Sequence, residues 1–515
     1  MLVLGGLDDQ LSFLIWTKVS ESVFQLPSAY SFYQDKLWGF IRPFATSRPL
    51  FSFLSSVLGT LLGSYAYPLL IVVSITLGFY FVHRFFGRRR YTIGYALLFV
   101  FSAYFWNHYD IHLPLAQLWL VPLLLMDLKK RCVLLIGFLF AASLAVSNYI
   151  GFFLLIYFTL YSFLKFIYEK DWRYVKKFAV VSALTALFSL PFLFPFIRAN
   201  YIRPPMEVVS TVQVVQRPYE DFFHFSSRPW YFFIPPVKNP WLGEVGQKMV
   251  ARLEATNYFL ADDYFPGEHS ANYFGLIFLI SVTVLSILVL RSDSSAPKKK
   301  ITFYWVLNFL LYLFMLPPFF TISGIKIYTP GELMYRFFPM FRVTTRMAPL
   351  LLLNFLIILA TSVDYLSRQS EKYKKFFRVF VPVLTLITLA ETFIPPKIVY
   401  YNEPPAVYSY LGEIASQKKF AVYPYSQTDE AFFWLDAHKA YLLNLRGYSE
   451  EVYNTEVFTK SLPTLGGISI LGSLGGEYLV VYRDIPKEEF EFFSTTSQLV
   501  RVKEFPNSVI YKVVK

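Results

Sequence analysis

About ten apolar stretches, each long enough to cross or nearly cross the ~30 Å hydrocarbon core of a bilayer, alternate along this chain with short basic clusters. They run over residues 65–86, 91–107, 112–128, 132–147, 149–168, 177–198, 271–290, 302–321, 346–367 and 377–394. Several have only roughly 16 residues, or about 25 Å of helix, so tilt, local thinning or tight helical hairpins are expected there. With 55% hydrophobic and only 16% charged residues and a mean hydropathy of +0.43, the chain is too apolar for a soluble enzyme of this length. It is a polytopic membrane protein.

The basic clusters orient it. Arg84, Arg88, Arg89 and Arg90 follow the first stretch, and Lys129, Lys130 and Arg131 follow the third. The same parity puts "KFIYEKDWRYVKK", "RSDSSAPKKK" and "SRQSEKYKKFFR" on the cytoplasmic side, as the excess of Lys and Arg in inner loops requires. Residues 1–64, the "NHYDIH" turn, the loops 199–270 and 322–345, and everything after the last stretch then lie outside. The formal charge of +13 is thus spent on orientation. No basic face with interleaved aromatics forms that would fit nucleic acid. The single cysteine, Cys132, excludes an intramolecular disulfide and any cysteine metal site.

After residue 395 the pattern changes to short β-type runs, "KKFAVYPY", "EYLVVYRD", "SQLVRVKEF" and "SVIYKVV", with helical stretches around "PAVYSYLGEI" and "DEAFFWLDAHKAY". The expected architecture is an all-α polytopic membrane domain over 1–394, followed by a small extracytoplasmic α/β domain over 395–515. The glycines of "TLGGISILGSLGGEYLVV" lack the Lys-Ser/Thr of a phosphate loop and read as a turn into a buried strand.

The apolar stretches carry almost no ionisable residue at their centres, Asn148 and Asn354 being the main polar interruptions. Ion-coupled transporters keep such groups because a buried charge, costing ~3 kcal/mol or more, persists only for function. Titratable residues gather instead at the outer face: Asp8 and Asp9; His108, Asp110 and His112; Asp262, Asp263, Glu268 and His269; Arg342 and Arg346. A carboxylate there can act as a general base, and a guanidinium at the membrane edge can hold a lipid phosphate through parallel hydrogen bonds. Taken singly, each has a plainer reading. Asp8 and Asp9 fit a solvated loop, His112 a helix cap, "ADDYFPGEHS" a surface turn, and the two arginines snorkelling side chains. "MLVLGG" reads as the tail of a helix that begins upstream, because nothing before it would carry Asp8 and Asp9 outside.

Four segments in order, "GLDDQLSFLIW", "IHLPLAQLWLVPLLLMDL", "RPYEDFFHFSSRPWYFFIPPVKNPWLG" and "FRVTTRMAPLLLL", resemble the GT-C kind of membrane glycosyltransferase, particularly the bacterial lipoteichoic-acid-glycosylating type. "PPAVYSYLGEI" and "GGEYLVVYRD" are similar to its appended outer domain. The resemblance implies a polyprenyl-phosphate-linked sugar as donor, an extracytoplasmic glycan, lipid or protein as acceptor, and transfer of a hexosyl or pentosyl group at the plasma membrane. It implies Asp9 as catalytic base, with Asp8 second, and leaves Asp110, His112, Arg342 and Arg346 as substrate-binding candidates. Some members of that kind use a divalent cation such as Mg2+ or Mn2+ and others none, so no metal ligand is assigned. Two other classes stay open: a flippase for a lipid-linked sugar, which predicts an inverted repeat of spans that the sequence lacks, and a non-catalytic membrane scaffold.

Overall fold

The computed structural model describes residues 2–4, 50–51, 54, 58, 62, 66–87, 89–109, 112–127, 132–197, 218–256, 264–396, 398–400, 403–444 and 455–514. Among the described residues a short strand, β1 (Leu2–Leu4), comes first, and the first long helix is α1 (Ala66–Phe86). It is followed by α2 (Thr92–Val100), α3 (Ala103–His108), α4 (Leu120–Asp127), α5 (Val133–Val146), α6 (Asn148–Glu169) and α7 (Arg173–Ile197). Short helices α8 (Asp221–His224), α9 (Gly243–Thr256) and α10 (Pro266–His269) precede α11 (Leu276–Leu290) and α12 (Ser295–Met315). A hairpin of β2 (Phe319–Ile322) and β3 (Ile325–Tyr328) leads to α13 (Pro330–Phe337), α14 (Ala348–Gln369) and α15 (Glu371–Thr392).

Among the described residues, five helical stretches are long and apolar enough to cross a membrane: Pro68–Phe86, Asn148–Glu169, Arg173–Pro191, Pro266–Leu290 and Thr344–Gln369. The centre is α14. It is buried along nearly its whole length, packed among α11, α12 and α15. An apolar helix buried on every side needs its polar atoms satisfied locally. Asn354 meets that demand, accepting from Tyr157 Oη (2.9 Å) and donating to Asn308 Oδ1 (2.8 Å). This polar interruption of a span is an interhelical bond.

The helices depart from the apolar pattern where the backbone forbids continuation. Residues 91–107 are two helices, α2 and α3, broken at Phe101–Ser102. Only the second half of 112–128 is helical: residues 112–119, which include Pro114, form turns before α4, whose eight residues span about 12 Å. The stretch 302–321 stops as a helix at Met315, because Pro317 and Pro318 cannot continue it, and Phe319–Ile322 is a strand. Leu2–Leu4, read above as the tail of a helix, pairs antiparallel with β4 (Ile398–Tyr400), Leu2 opposite Tyr400.

The large connection before α9 is fastened to the end of α15 by Asn239. Asn239 Nδ2 lies 2.7, 3.1 and 2.9 Å from the carbonyl oxygens of Ala390, Glu391 and Phe393 at the end of α15. Its Oδ1 accepts from the backbone N–H groups of Trp241 and Leu242. The carbonyls that a helix end leaves unpaired are thereby met from the loop.

Beyond β4 come α16 (Ala406–Ala415), β5 (Lys419–Tyr423), α17 (Thr428–Phe433), α18 (Leu435–His438), β6 (Tyr441–Leu442), α19 (Thr455–Ser461), α20 (Leu465–Ser473), β7 (Gly476–Tyr482), α21 (Lys487–Thr495), β8 (Leu499–Glu504) and β9 (Ser508–Val513). The sheet runs β6-β5-β7-β9-β8, with β5 parallel to β6 and β7 and the remaining pairs antiparallel. Phe420, Val422, Leu479, Val481, Ile510 and Phe493 belong to a core separate from that of the bundle. The first glycine pair of the Gly-rich segment lies in α20, where Thr464 Oγ1 caps the helix by accepting from Gly467 N–H (3.0 Å). Gly475 takes φ +79°, which a side chain would strain, and turns the chain into buried β7.

Candidate functional site

Three elements distant in sequence bring a charged cluster together at one end of the bundle. His108 is the last residue of α3, Glu268 and His269 close the single turn of α10 behind Pro266, and Arg346 sits in the turn Thr344–Met347 that feeds α14. Proline at the start of α10 and near the start of α14 presets the backbone where no N–H is needed. The Arg346 guanidinium pairs with Glu268, Nη2 reaching Oε1 and Nε lying 3.1 and 3.2 Å from the two carboxylate oxygens. On its other side Glu268 Oε2 is 3.1 Å from His108 Nε2. The side chains are 1% (His108), 6% (Glu268) and 10% (Arg346) exposed.

A lone carboxylate at such a depth would be held only at a cost of several kcal/mol, so both partners are needed. His108 Nδ1 lies 2.7 Å from the carbonyl oxygen of Tyr104, which can only accept, so the imidazole is held through both ring nitrogens. Aromatic rings close the cluster: Tyr104 stacks on His108 with centroids 4.1 Å apart, and the Arg346 guanidinium carbon lies 4.5 Å from the centroid of Tyr149. Tyr149 in turn donates to the carbonyl of Met340 (3.2 Å). The hydroxyls of Tyr104, Ser147 and Thr345 are buried with no hydrogen-bond partner among the described residues.

His269, adjacent to Glu268, faces elsewhere. Its Nδ1 accepts from Phe265 N–H (2.8 Å) and its ring stacks on Tyr231, centroids 4.4 Å apart. "ADDYFPGEHS", which fitted a surface turn, therefore buries its last three residues.

Arg342 lies one turn before Arg346 in sequence and in a different setting. It pairs with Asp221 of α8, its guanidinium carbon 4.9 Å from the Phe225 ring centroid, with side chains 28% and 22% exposed. The segment carrying Asp221 is ordered by buried Arg228, which donates to the carbonyls of Ser227 (3.2 Å) and Phe223 (3.1 Å) and to Ser226 Oγ. Tyr219 donates to Glu332 Oε2 (2.7 Å), tying the same segment to α13. Burial, and then the Glu332 carboxylate, push the Tyr219 phenol well above its ordinary range.

The sequence-based candidates thus distribute as follows. Arg342 and Arg346 share one end of α14 but have separate carboxylate partners. His112 lies in the turn after α3, its backbone N–H donating to the carbonyl of His108 (2.9 Å). Asp8, Asp9, Asp110, Asp262 and Asp263 lie outside the described residues. Among the described residues, no three His, Cys, Asp or Glu side chains gather as metal ligands. Asp221 and Arg228 escaped the sequence reading of single residues, although both lie in the quoted loop segment "RPYEDFFHFSSRPW". The Arg-Pro and Glu-Asp pairs there were the available signal.

Bundle and site describe a mostly helical, multi-pass membrane protein with a charged cluster at one end of its central helix and a small sheet-containing region after it. No protein-family model matches the sequence, and no curated protein matches it. Solved structures similar to the chain include ArnT from Cupriavidus metallidurans bound to undecaprenyl phosphate, at 11% identity over 99% of this chain and 94% of that one, with a TM-score of 0.44. The apo state of ArnT aligns over the same shares at 11% identity and 0.43. The arabinofuranosyltransferase AftD from Mycobacteria, mutant R1389S, aligns at 13% identity and 0.47 over 99% of this chain and 42% of that chain.

Proposed function

We propose that this chain is a plasma-membrane glycosyltransferase that moves a sugar from a polyprenyl-phosphate donor to an extracytoplasmic acceptor. In this reading residues 1–394 form the catalytic membrane domain and 395–515 an outer domain. The observation that carries it is Arg342: a partly exposed guanidinium at the end of an apolar bundle, held by Asp221 and an aromatic face. A lipid phosphate arriving sideways from the bilayer would meet such a group first, and a planar fork matches its oxygens.

The chemistry balances with groups the chain owns. The bond between the anomeric carbon and the phosphate oxygen breaks, and the acceptor oxygen forms the new bond to that carbon. The proton of the acceptor hydroxyl passes to the Asp9 carboxylate, Asp8 being the second candidate, and the lipid phosphate leaves with its charge held by Arg342. Arg346 serves the site indirectly, through the buried pair with Glu268 that fixes the entry to α14. Asp110 and His112 are assigned to sugar or acceptor binding.

The test is sugar transfer from a labelled polyprenyl-phosphate donor by the purified full chain in proteoliposomes. Wild type is expected to form a new glycosidic bond, and Asp9→Asn to lose about 10²–10⁴-fold in turnover at unchanged membrane level. Normal transfer by Asp9→Asn would remove Asp9 as base. Movement of the labelled lipid across the bilayer with no new bond would replace the reading by a flippase.

A further inference from the structure

The hairpin β2–β3 and α13 expose more large apolar surface than a water-facing loop tolerates. β2 and β3 pair from Phe319 opposite Tyr328 to Ile322 opposite Ile325, closed by Ser323 and Gly324 at φ +50° and +82°. Both central residues in the left-handed region make the tight two-residue turn that matches strand twist. On this small element Ile322 (52%), Ile325 (68%), Tyr328 (61%), Leu333 (49%) and Phe337 (69%) are exposed. A two-stranded hairpin with an apolar exposed edge is unstable and aggregation-prone in water. Something covers it.

Its attachments say what. At its base Thr329 N–H donates to the carbonyl of Pro318 (2.9 Å) and Thr329 Oγ1 to that of Pro317 (2.5 Å), directly after the last turn of α12. Past α13, Phe338 and Phe341 pack on Phe152 in the second turn of α6, with centroids 4.9 and 3.9 Å apart. Three residues after Phe341 the chain enters the apolar stretch Thr344–Gln369. The segment is therefore pinned on both sides to helix ends beside the apolar stretches Asn148–Glu169 and Thr344–Gln369, the level at which a membrane boundary is expected. Its cations suit that level. Lys326 Nζ lies 4.6 Å from the Phe319 ring centroid, and Arg336 pairs with Glu332 while leaving most of its side chain exposed. Apolar and aromatic side chains with Lys and Arg beside them are the composition of an element seated between acyl chains and headgroup phosphates.

We infer that β2–β3 and α13 form a paddle that inserts its apolar face into the boundary of the adjoining leaflet, with Lys326 directed to lipid phosphates. The occupant of the face is phospholipid. Through Tyr219 and Glu332, and through Phe223 and Phe319 with centroids 5.0 Å apart, the paddle is joined to the segment that carries Asp221. Its depth in the leaflet thus sets the height of the Arg342–Asp221 pair. The inference stands whether or not the chain transfers sugar.

The experiment is site-directed spin labelling of the full chain in liposomes of phosphatidylethanolamine and phosphatidylglycerol. Cys132→Ser supplies the background, with Ile325→Cys, Phe337→Cys and, as a water-facing reference on β8, Val500→Cys; all three positions are exposed, so folding is retained. Labels at 325 and 337 are expected to be several-fold more accessible to oxygen than to a polar nickel chelate, and the label at 500 to show the reverse. An aqueous profile at 325 and 337 matching that at 500 would overturn the inference. So would dipolar broadening between labels at 325 in two chains, which would assign the face to a second copy.

Discussion

Arg342 and Arg346 are the same residue type, four apart at the entry to one helix, yet the fold treats them oppositely. Arg346 is buried, with its charge divided between a carboxylate that also serves His108 and the face of Tyr149. Arg342 keeps over a quarter of its side chain exposed beside a partner that is itself accessible. The difference lies in what surrounds the carboxylate. Glu268 comes from a one-turn helix packed against α3 and the Thr344–Met347 turn, whereas Asp221 comes from a short loop helix. The resemblance makes both arginines substrate-binding candidates; burial separates them, leaving Arg342 the more exposed of the two.

The comparison breaks most visibly at Glu268. Glu268→Ala leaves Arg346 and His108 facing each other with no anion between them, so stability is expected to fall by about 3–5 kcal/mol. A thermal melt of the purified protein in detergent that matched wild type would mean that the cluster is not buried as described. The double variant Glu268→Gln/Arg346→Met is expected to be less damaging than the sum of its singles, by roughly 0.5–3 kcal/mol, because the partners lose their charges together. Strict additivity would show that the two side chains do not interact.

Arg342→Ala sharpens the other side. A partly exposed pair contributes only about 0–1 kcal/mol to stability, while a charged hydrogen bond to phosphate is worth about 1.5–3 kcal/mol. The expected result is a nearly unchanged melt with half-saturation for a polyprenyl-phosphate donor raised roughly tenfold to a hundredfold. A large loss of stability with unchanged donor dependence would reverse the roles of the two arginines. The smallest effect is expected at Tyr219→Phe. Losing its bond to Glu332 should cost about 1 kcal/mol and loosen the segment under Asp221, seen as faster amide exchange over residues 218–225; exchange at the wild-type rate would discount that tie.

Much of the bundle was legible because lipid imposes a simple rule: apolar length makes helices, and α1, α5, α6, α7, α11, α14 and α15 fall where the apolar stretches lie. The β-type runs after residue 395 were equally plain, since alternation and β-branched residues recur in each of β5, β7, β8 and β9. Hydropathy is blind to the breaks, where Phe101–Ser102, Pro114 and Pro317–Pro318 end or delay helices inside apolar sequence. His108, Glu268 and Arg346 each stood out as outer-face candidates, but nothing local showed that they form one cluster. Their pairing spans separations of 160 and 78 residues.

The sequence by itself determined that this chain lives in a membrane, where most of its long helices lie, which connections carry the basic residues, and that a sheet-containing region follows. Those properties depend on side-chain chemistry read one residue, or one helical period, at a time. Only the tertiary structure decided that Glu268 is shared by His108 and Arg346, that Arg342 stays partly open beside Asp221, and that an apolar hairpin is pinned at the bundle's end. Each of these follows from which buried charge finds a partner once distant elements pack, and a single buried ion has no stable alternative to the partner the fold brings it.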